Sequence, residues 1–486
     1  MIVHRKPMSS IWPPRVWPRL AYRTAPLRVL IAAVVAGVVA ACLLGRTGIG
    51  FPLTAAAVLA VAAVAAVRRP TLWGYAGATA VFALATVPAF RAAEWLTSLS
   101  IWCAIVVAGA VACRGRTWTG LALGAVVPVL LPARVCRWAS RGARDMRTGG
   151  VRSGRVAAVV GATGVLVVVF GALFAAADPV FAGVVDVVTP EWDPDAVVGR
   201  AFLFVVVGGG ALGAAYVVST PPRFDMLARA SRSRFRLWEW TIPLSALVVV
   251  FGVFVTVQAT TLFGGQQHVL VTDGLTNAEY ARQGFWQLLA VTGLTLAVLA
   301  VIVRKAARET TADSVVLRVL LGALCALSLV VVASALHRMS LYEKQYGYTT
   351  LRLFVTAVEL LLGVVFVLVM IAGITMSGSW LPRAVGVSAV AAVLGLAVLN
   401  PDAYIARHNV ERFEQTGRID VAYLRSLSAD AARELDGLPE PYRHCALGGS
   451  STEWSWYEWN LGNATKERVL AQSPVGACGQ MPTGLR

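Results

Sequence analysis

Between Met1 and Asn400 the chain is built from uncharged apolar runs, each close to the roughly 20 residues a helix needs to cross a bilayer, with arginines gathered between them. The runs cover 27–45, 49–67, 71–90, 94–113, 156–177, 197–218, 241–263, 284–303, 315–335 and 351–373. Two weaker ones lie at 118–133, interrupted by Pro128 and Pro132, and at 384–399. At 1.5 Å per residue a helix over 384–399 reaches only about 24 Å against a hydrocarbon core of roughly 30 Å, so both weaker runs need an independent argument. The pattern argues against a soluble fold. Of the residues, 57% are hydrophobic and 14% charged, whereas soluble domains carry about 25% charged residues.

The positions of the basic residues supply that argument, because Lys and Arg accumulate in short cytoplasmic loops. If 118–133 does not cross, twenty-five lysines and arginines fall on one side, and only Arg46, Arg91, Arg282, Arg338 and Lys344 on the other. If it crosses, the seven arginines from Arg134 to Arg155 change side and every later loop inverts. The first arrangement predicts an all-α, polytopic transmembrane bundle of about eleven crossings, with 118–133 as a re-entrant or interfacial segment. It sets the protein in the cell membrane with a cytoplasmic amino terminus and a small, mainly helical, extracytoplasmic tail. The stretch 178–196 fits the outer side, since it holds Asp178, Asp186, Glu191, Asp193 and Asp195 and no Lys or Arg.

The net charge of +17 then has a direct meaning. Arginine-rich loops face the anionic headgroups of the lipid bilayer, an attraction of about 1 kcal/mol per basic residue near the surface. A nucleic acid partner is not expected, because no recognition module accompanies the basic patches.

Motifs of chemistry are weak. Gly208, Gly210 and Gly213 satisfy G-x-G-x-x-G, but they sit within an apolar span with no preceding strand, so close helix packing through Gly209 and Gly213, and likewise Gly120 and Gly124, is the better reading. His4, His268, His337, His408 and His444 show no metal-ligand spacing. No catalytic site, metal or cofactor is expected, and the chain does not read as an enzyme. Val39, Ala40, Ala41 and Cys42 look like a lipoprotein processing box, yet the long basic region before them favours an uncleaved first helix.

The ionisable residue that stands out is Glu359, eight positions inside the run 351–373. An acid at membrane depth is costly and normally faces a bundle interior with a partner. Arg200 is the expected partner, with His337, Gln258 or Gln287 in reserve. A structural role outweighs a functional one, because nothing else in the sequence forms a relay with it. The outer loops carry a second candidate site, with Glu279, Tyr280 and Arg282 in one and Tyr342, Glu343 and Tyr346 in another.

In the tail, apolar residues at helical spacing predict two or three short helices over 400–439, with Asp420 capping one near Val421 and Ser428 the next. Trp454, Trp456, Tyr457 and Trp459 form an aromatic stretch that packs the tail against the bundle, rests on the membrane interface or holds a peptide or glycan, packing being the favoured reading. Cys445 and Cys478 are the two cysteines of the tail. In an oxidising compartment they can form a disulfide, with two free thiols as the alternative.

Several stretches together resemble a known family: F-G-G with N-A-E-Y-A-R-Q-G-F-W-Q-L, L-Y-E-K-Q-Y-G-Y-T-x-L-R, N-P-D-A-Y-I-A-R-H-N, then Gly417, Asp420, Tyr423, Leu424 and the run Leu427, Ser428, Asp430. They are similar to a bacterial family of polytopic membrane proteins catalogued only as a domain of unknown function, of high-GC Gram-positive type. The resemblance covers about 156–439 and implies an integral membrane protein without established catalytic residues. The chain thus divides into a basic cytoplasmic arm (1–26), amino-terminal membrane helices with an arginine-rich segment (27–155), the family's membrane core (156–399) and the tail (400–486). The expected function is a sensory or scaffolding component of the cell envelope with a membrane or envelope protein partner. The alternative is a small-solute or lipid transporter using Glu359.

Overall fold

The computed structural model describes residues 16–17, 24–66, 70–130, 132–148, 194–228, 235–263, 277–306, 310–448, 454–476 and 478. The expected span at 156–177 and the outer loop at 264–276 lie outside them. The described chain is helical, apart from one isolated bridge between Phe235 and Ala306.

The bundle is formed by α1 (Leu27–Leu43), α2 (Gly50–Ala65), α3 (Leu72–Phe90), α4 (Glu94–Ala112), α5 (Trp118–Leu130), α6 (Pro132–Thr148), α7 (Pro194–Ser219), α8 (Leu237–Phe263), α9 (Asn277–Lys305), α10 (Thr311–Tyr346), α11 (Thr350–Thr375) and α12 (Leu381–Leu399). Among the described residues, eight of these are long and apolar enough to cross a membrane: α3, α4 and α7 to α12. Helices α1 and α2 are apolar but shorter, at 17 and 16 residues. The last span is longer than its sequence suggests. Helix α12 has 19 residues, because Pro382 is tolerated in its first turn and Arg383 there finds polar and aromatic partners, donating to the Gly115 carbonyl (3.2 Å) with its guanidinium 4.6 Å from the Trp73 ring.

Contacts sort the connections between helices into two ends. At one end Ser219 at the close of α7 donates to the Ala65 carbonyl of α2, the Phe235 amide donates to the carbonyl of Lys305, the last residue of α9, and Asp225 meets the α4–α5 turn. At the other end the α1–α2, α3–α4 and α10–α11 connections lie against the tail. This division matches the grouping of loops by charge. Helix α5 begins at the first end, beside Asp225. The α6 that follows returns there, with the Arg134 guanidinium 4.9 Å from the Trp17 ring and Trp138 edge-on to Tyr216 at 5.5 Å. The α5–α6 pair therefore starts and finishes at one end of the bundle.

Two cores fill the bundle. One joins α1, α2, α5, α6 and α7 around Val61, Trp138, Ala211 and Tyr216, and the other joins α8 to α11 around Trp240, Leu244, Leu324 and Phe366. Helices α3, α4 and α12 link them through Leu84, Leu96, Val393 and Leu396. Val205, Val249, Val253, Leu294, Val319 and Ile374 stay exposed, an apolar girdle suited to acyl chains rather than water. The close approach of α1 and α7 uses Gly37 against Phe204 and Gly208 against the Ala33 carbonyl, whereas a Cβ on Gly209 or Gly213 would meet nothing within 4 Å. The expected Gly209–Gly213 contact is thus replaced by Gly37 and Gly208. Gly124 does pack as expected, against the backbone of Gly109 and Ala110.

Asn400, at φ 57°, ends α12 and starts α13 (Pro401–Thr416), turning the chain sharply into the tail. There α14 (Val421–Arg425), α15 (Ala432–Leu435), α16 (Tyr442–Leu447) and α17 (Leu461–Gln472) surround Leu424, Ala431, Leu435 and Leu447. Asp420 accepts from the Tyr423 amide and Ser428 from the Asp430 amide, so both caps form. Cys445 and Cys478 are joined in a disulfide.

Candidate functional site

The tail is tied to the bundle through backbone groups that the bundle's own side chains leave free. Helix α4 starts at an alanine cap with no side chain able to accept from its first amides. Asp430 supplies the acceptor from the tail, its Oδ2 taking hydrogen bonds from the amides of Ala92 (2.7 Å) and Ala93 (3.3 Å). Burial pushes the Asp430 carboxyl above the usual aspartate range, against the opposing pull of those amides and of Arg91. Gly462 makes room for it, since a Cβ there would stand 2.3 Å from Asp430 Oδ1. Beside it the buried Asn460 donates to the Arg91 carbonyl (3.4 Å), and the Ile49 amide of the α1–α2 connection donates to the Trp459 carbonyl (3.2 Å).

The second seam joins α13 to the α10–α11 hairpin. Asn409 Nδ2 donates to the Tyr348 carbonyl and its Oδ1 accepts from the Tyr348 amide, both at 2.9 Å, so one side chain engages both backbone polar groups of a single residue. Gly347, at φ 82°, is required there twice over: a Cβ would lie 2.6 Å from Asn409 Oδ1, and the backbone is left-handed. The Tyr423 hydroxyl accepts from the Thr350 amide (2.8 Å), and Arg412 donates to the Gln345 carbonyl (2.9 Å). The Tyr348 ring lies 4.8 Å from His408 and 5.9 Å from Tyr404. Burial raises the hydroxyl pKa of both tyrosines, reinforced by the negative charges of Glu343 and Glu411.

The candidate residues expected in outer loops lie in helices instead, with Tyr342, Glu343 and Tyr346 in the last turns of α10. Glu343 is buried with Oε1 lacking a hydrogen-bond partner, and its charge faces that of Arg352, which also stacks 4.3 Å from the Tyr342 ring and donates to the Gly347 carbonyl. Tyr342 and Tyr346 stand 4.9 Å apart, with Tyr346 exposed. Glu279, Tyr280 and Arg282 fall in the first turns of α9, and their side chains lie outside the described residues.

Glu359 is fully enclosed in the second core. Its partner is the buried Thr292 of α9, whose hydroxyl lies 3.4 Å from Oε1 and also donates to the Leu288 carbonyl, while Oε2 has no partner. The expected pair with Arg200 does not form. Arg200 is exposed on α7, which packs on α1 and α2, and His337 and Gln287 are exposed as well. Glu359 does face the bundle interior, but choosing its partner needs helix neighbours, and α9 rather than α7 adjoins α11.

A chain whose described residues are helical, eight of their helices able to cross a membrane and one end of the bundle roofed by a small tail, is an integral membrane protein. It belongs to the family described as Domain of unknown function (DUF4153), whose match covers residues 78–438. No curated protein and no solved structure matches the chain. The match begins well before the expected 156 and so takes in most of α3 and all of α4 to α6. Both Asp430 and Asn409 lie within it, whereas Asn460 and the disulfide lie beyond.

Proposed function

We propose that the protein is a sensory or scaffolding component of the cell envelope, with the tail outside the cell membrane and the arginine-rich end in the cytosol. The observation that carries this reading is the fastening of the tail to three separate helix connections by hydrogen bonds to their backbones. Force or a partner acting on the tail is thereby felt directly by α1–α2, α3–α4 and the α10–α11 hairpin. The excess of basic residues at the other end supports the sidedness, and a disulfide in the tail fits an oxidising compartment. No reaction belongs to this reading.

Sidedness is tested first. In intact cells and a background without the native free cysteines, a membrane-impermeant thiol reagent should label Lys466→Cys in α17 and spare Ser140→Cys in α6. The reverse pattern overturns the arrangement. Transmission is then tested by hydrogen exchange on the purified protein: cleaving the chain after Asn400 and removing the tail should speed exchange of the amides around Tyr348 and Thr350 at least tenfold. Unchanged exchange there removes the sensory reading.

A second reading, a proton-coupled transporter of small solutes or lipids, draws on the unpartnered Oε2 of the enclosed Glu359. Uptake driven by a proton gradient in proteoliposomes, lost in Glu359→Gln, would favour it over the first.

A further inference from the structure

Where α14, α15, α16 and α17 of the tail converge they leave a cavity of about 170 Å³. Leu435, Ala446 and Leu447 line it and are buried, and Ser428 borders it from the turn between α14 and α15. Arg425, the last residue of α14, and Lys466 of α17 complete the lining, the first exposed and the second half-buried. The walls are held in place from behind. The Cys445–Cys478 disulfide ties down α16, and Arg443 beside it pairs with Asp436 (2.8 Å) and donates to the Ser473 carbonyl (2.6 Å) just past α17.

Two cations meet there without an acid. Among the described residues no acidic side chain lines the cavity, and neither Arg425 nor Lys466 forms an ion pair. The acids of the surrounding helices are engaged elsewhere, Glu434 with Arg407, Asp436 with Arg443 and Glu467 with the Trp454 indole. A guanidinium and an ammonium in one pocket are complementary to an oxyanion. The apolar lining decides which kind, because Leu435, Ala446 and Leu447 gain from covering an aliphatic group and nothing from an inorganic anion. At the roughly 30 Å³ that a water occupies in the liquid, the cavity has room for on the order of six non-hydrogen atoms.

We infer that this cavity binds a small organic carboxylate with a short aliphatic body, its carboxylate held by Arg425 and Lys466 and its aliphatic group against Leu435, Ala446 and Leu447. A free short-chain acid and the carboxyl terminus of a peptide ending in a small apolar residue present the same chemistry. The inference deepens the sensory reading, on which it rests, by giving the tail something to perceive. Ser428 joins the cavity to the seam: its amide donates to Asp402 of α13 (2.9 Å), and its hydroxyl lies 3.4 Å from Oδ2 of Asp430, the acceptor for the α4 amides. A ligand beside Ser428 is thus one contact away from the fastening of the tail.

The test is a ligand-detected NMR titration of the full-length protein in neutral detergent, with butyrate, N-acetyl-alanyl-alanine, inorganic phosphate and butylamine as probes. Butyrate or the acetylated dipeptide should bind, the tighter of the two identifying the source, whereas phosphate should bind at least tenfold more weakly and butylamine not at all. Arg425→Gln and Lys466→Gln should each weaken carboxylate binding about tenfold, as for loss of one charge-assisted hydrogen bond. Ala446→Leu, which fills the cavity and keeps both cations, should abolish it; if that variant does not fold, the two charge variants decide. The charge-matched control Arg433→Gln with Arg468→Gln, two exposed residues outside the lining, should leave binding unchanged. No binding of either carboxylate, full binding in both charge variants, equal loss in the control, or phosphate binding as tightly as the carboxylates overturns the inference. Such a result strikes the cavity and leaves the fastening of the tail, while unchanged exchange around Tyr348 and Thr350 after tail removal strikes the sensory reading and leaves the cavity.

Discussion

At each end of the bundle an aspartate from a distant segment accepts from the free amides at the start of a helix, and the two differ in where that aspartate comes from. Asp430 belongs to the tail and serves α4 from 337 and 338 residues away. Asp225 belongs to the α7–α8 connection and serves the turn before α5, accepting from the amides of Arg116 (3.1 Å) and Thr117 (2.9 Å) and from the Thr117 hydroxyl (2.8 Å). One is enclosed and the other only half-buried. At Asp225 burial opposes ionisation, but the hydrogen bonds from Thr117 and Arg116 and the Arg116 charge outweigh it and hold the carboxyl below its usual range. At Asp430 burial wins and the carboxyl titrates higher than usual. The same bond type therefore fastens a separate unit at one end and tightens the bundle itself at the other.

Opening the disulfide tests whether the tail end is the separable one. Cys478→Ser releases a cross-link between residues 33 apart, which by chain-entropy reasoning lowers tail stability by about 3–4 kcal/mol. Limited proteolysis should then cut within 440–475 while α5 and α6 stay protected; equal cleavage at both ends would erase the distinction. Asp430→Ala leaves two amides at the α4 start without their acceptor, at about 1–3 kcal/mol for each buried group. Hydrogen exchange at Ala92 and Ala93 should accelerate accordingly, with that of Thr117 unaltered. Asp225→Ala should act in mirror image but more weakly, by about 1 kcal/mol, as for loss of an ordinary helix cap.

The smallest effect is the most discriminating, because its sign differs between the ends. Asp430 has a raised folded pKa, so its contribution is fully present below the unfolded value of about 3.9 and fades as pH rises through the folded one. Asp225 has a lowered folded pKa, so its contribution is present above about 3.9 and fades as pH falls through the folded one. Acidification from neutral pH to about pH 4 should slow exchange at Ala92 and Ala93, after correction for intrinsic rates, and leave Thr117 unchanged. Parallel pH profiles would show that the two aspartates do not differ in environment as described.

The alternation of apolar helices, the grouping of their connections, the caps by Asp420 and Ser428 and the two cysteines of the tail could all be read from neighbouring residues, because hydropathy, charge and capping are local properties. The contacts that assemble the ends could not. Asp430 and Asn409 stood within recognisable stretches, but nothing in those stretches said that one would cap α4 and the other clasp the Tyr348 peptide. Thr292 is one of several hydroxyls in its span and acquires meaning only once α9 lies against α11. Gly208 differs from Gly209 only in the direction its helix turns toward α1. The amphipathic course of α6 is periodic in the sequence, yet its apolar side reads equally as membrane-facing until Trp138 is seen on Tyr216.

Helix α10 runs unbroken for 36 residues, from a capping box at Thr310 to Gly347, a length of about 54 Å. It exceeds the hydrocarbon thickness by roughly 24 Å, so it is a rigid rod with one tip in the tail seam and the other near Ala306. A tilt of only about 5° would carry one tip nearly 5 Å sideways relative to the other. Small rocking motions under the roof would thus be delivered, undamped by any hinge, to the opposite side of the membrane.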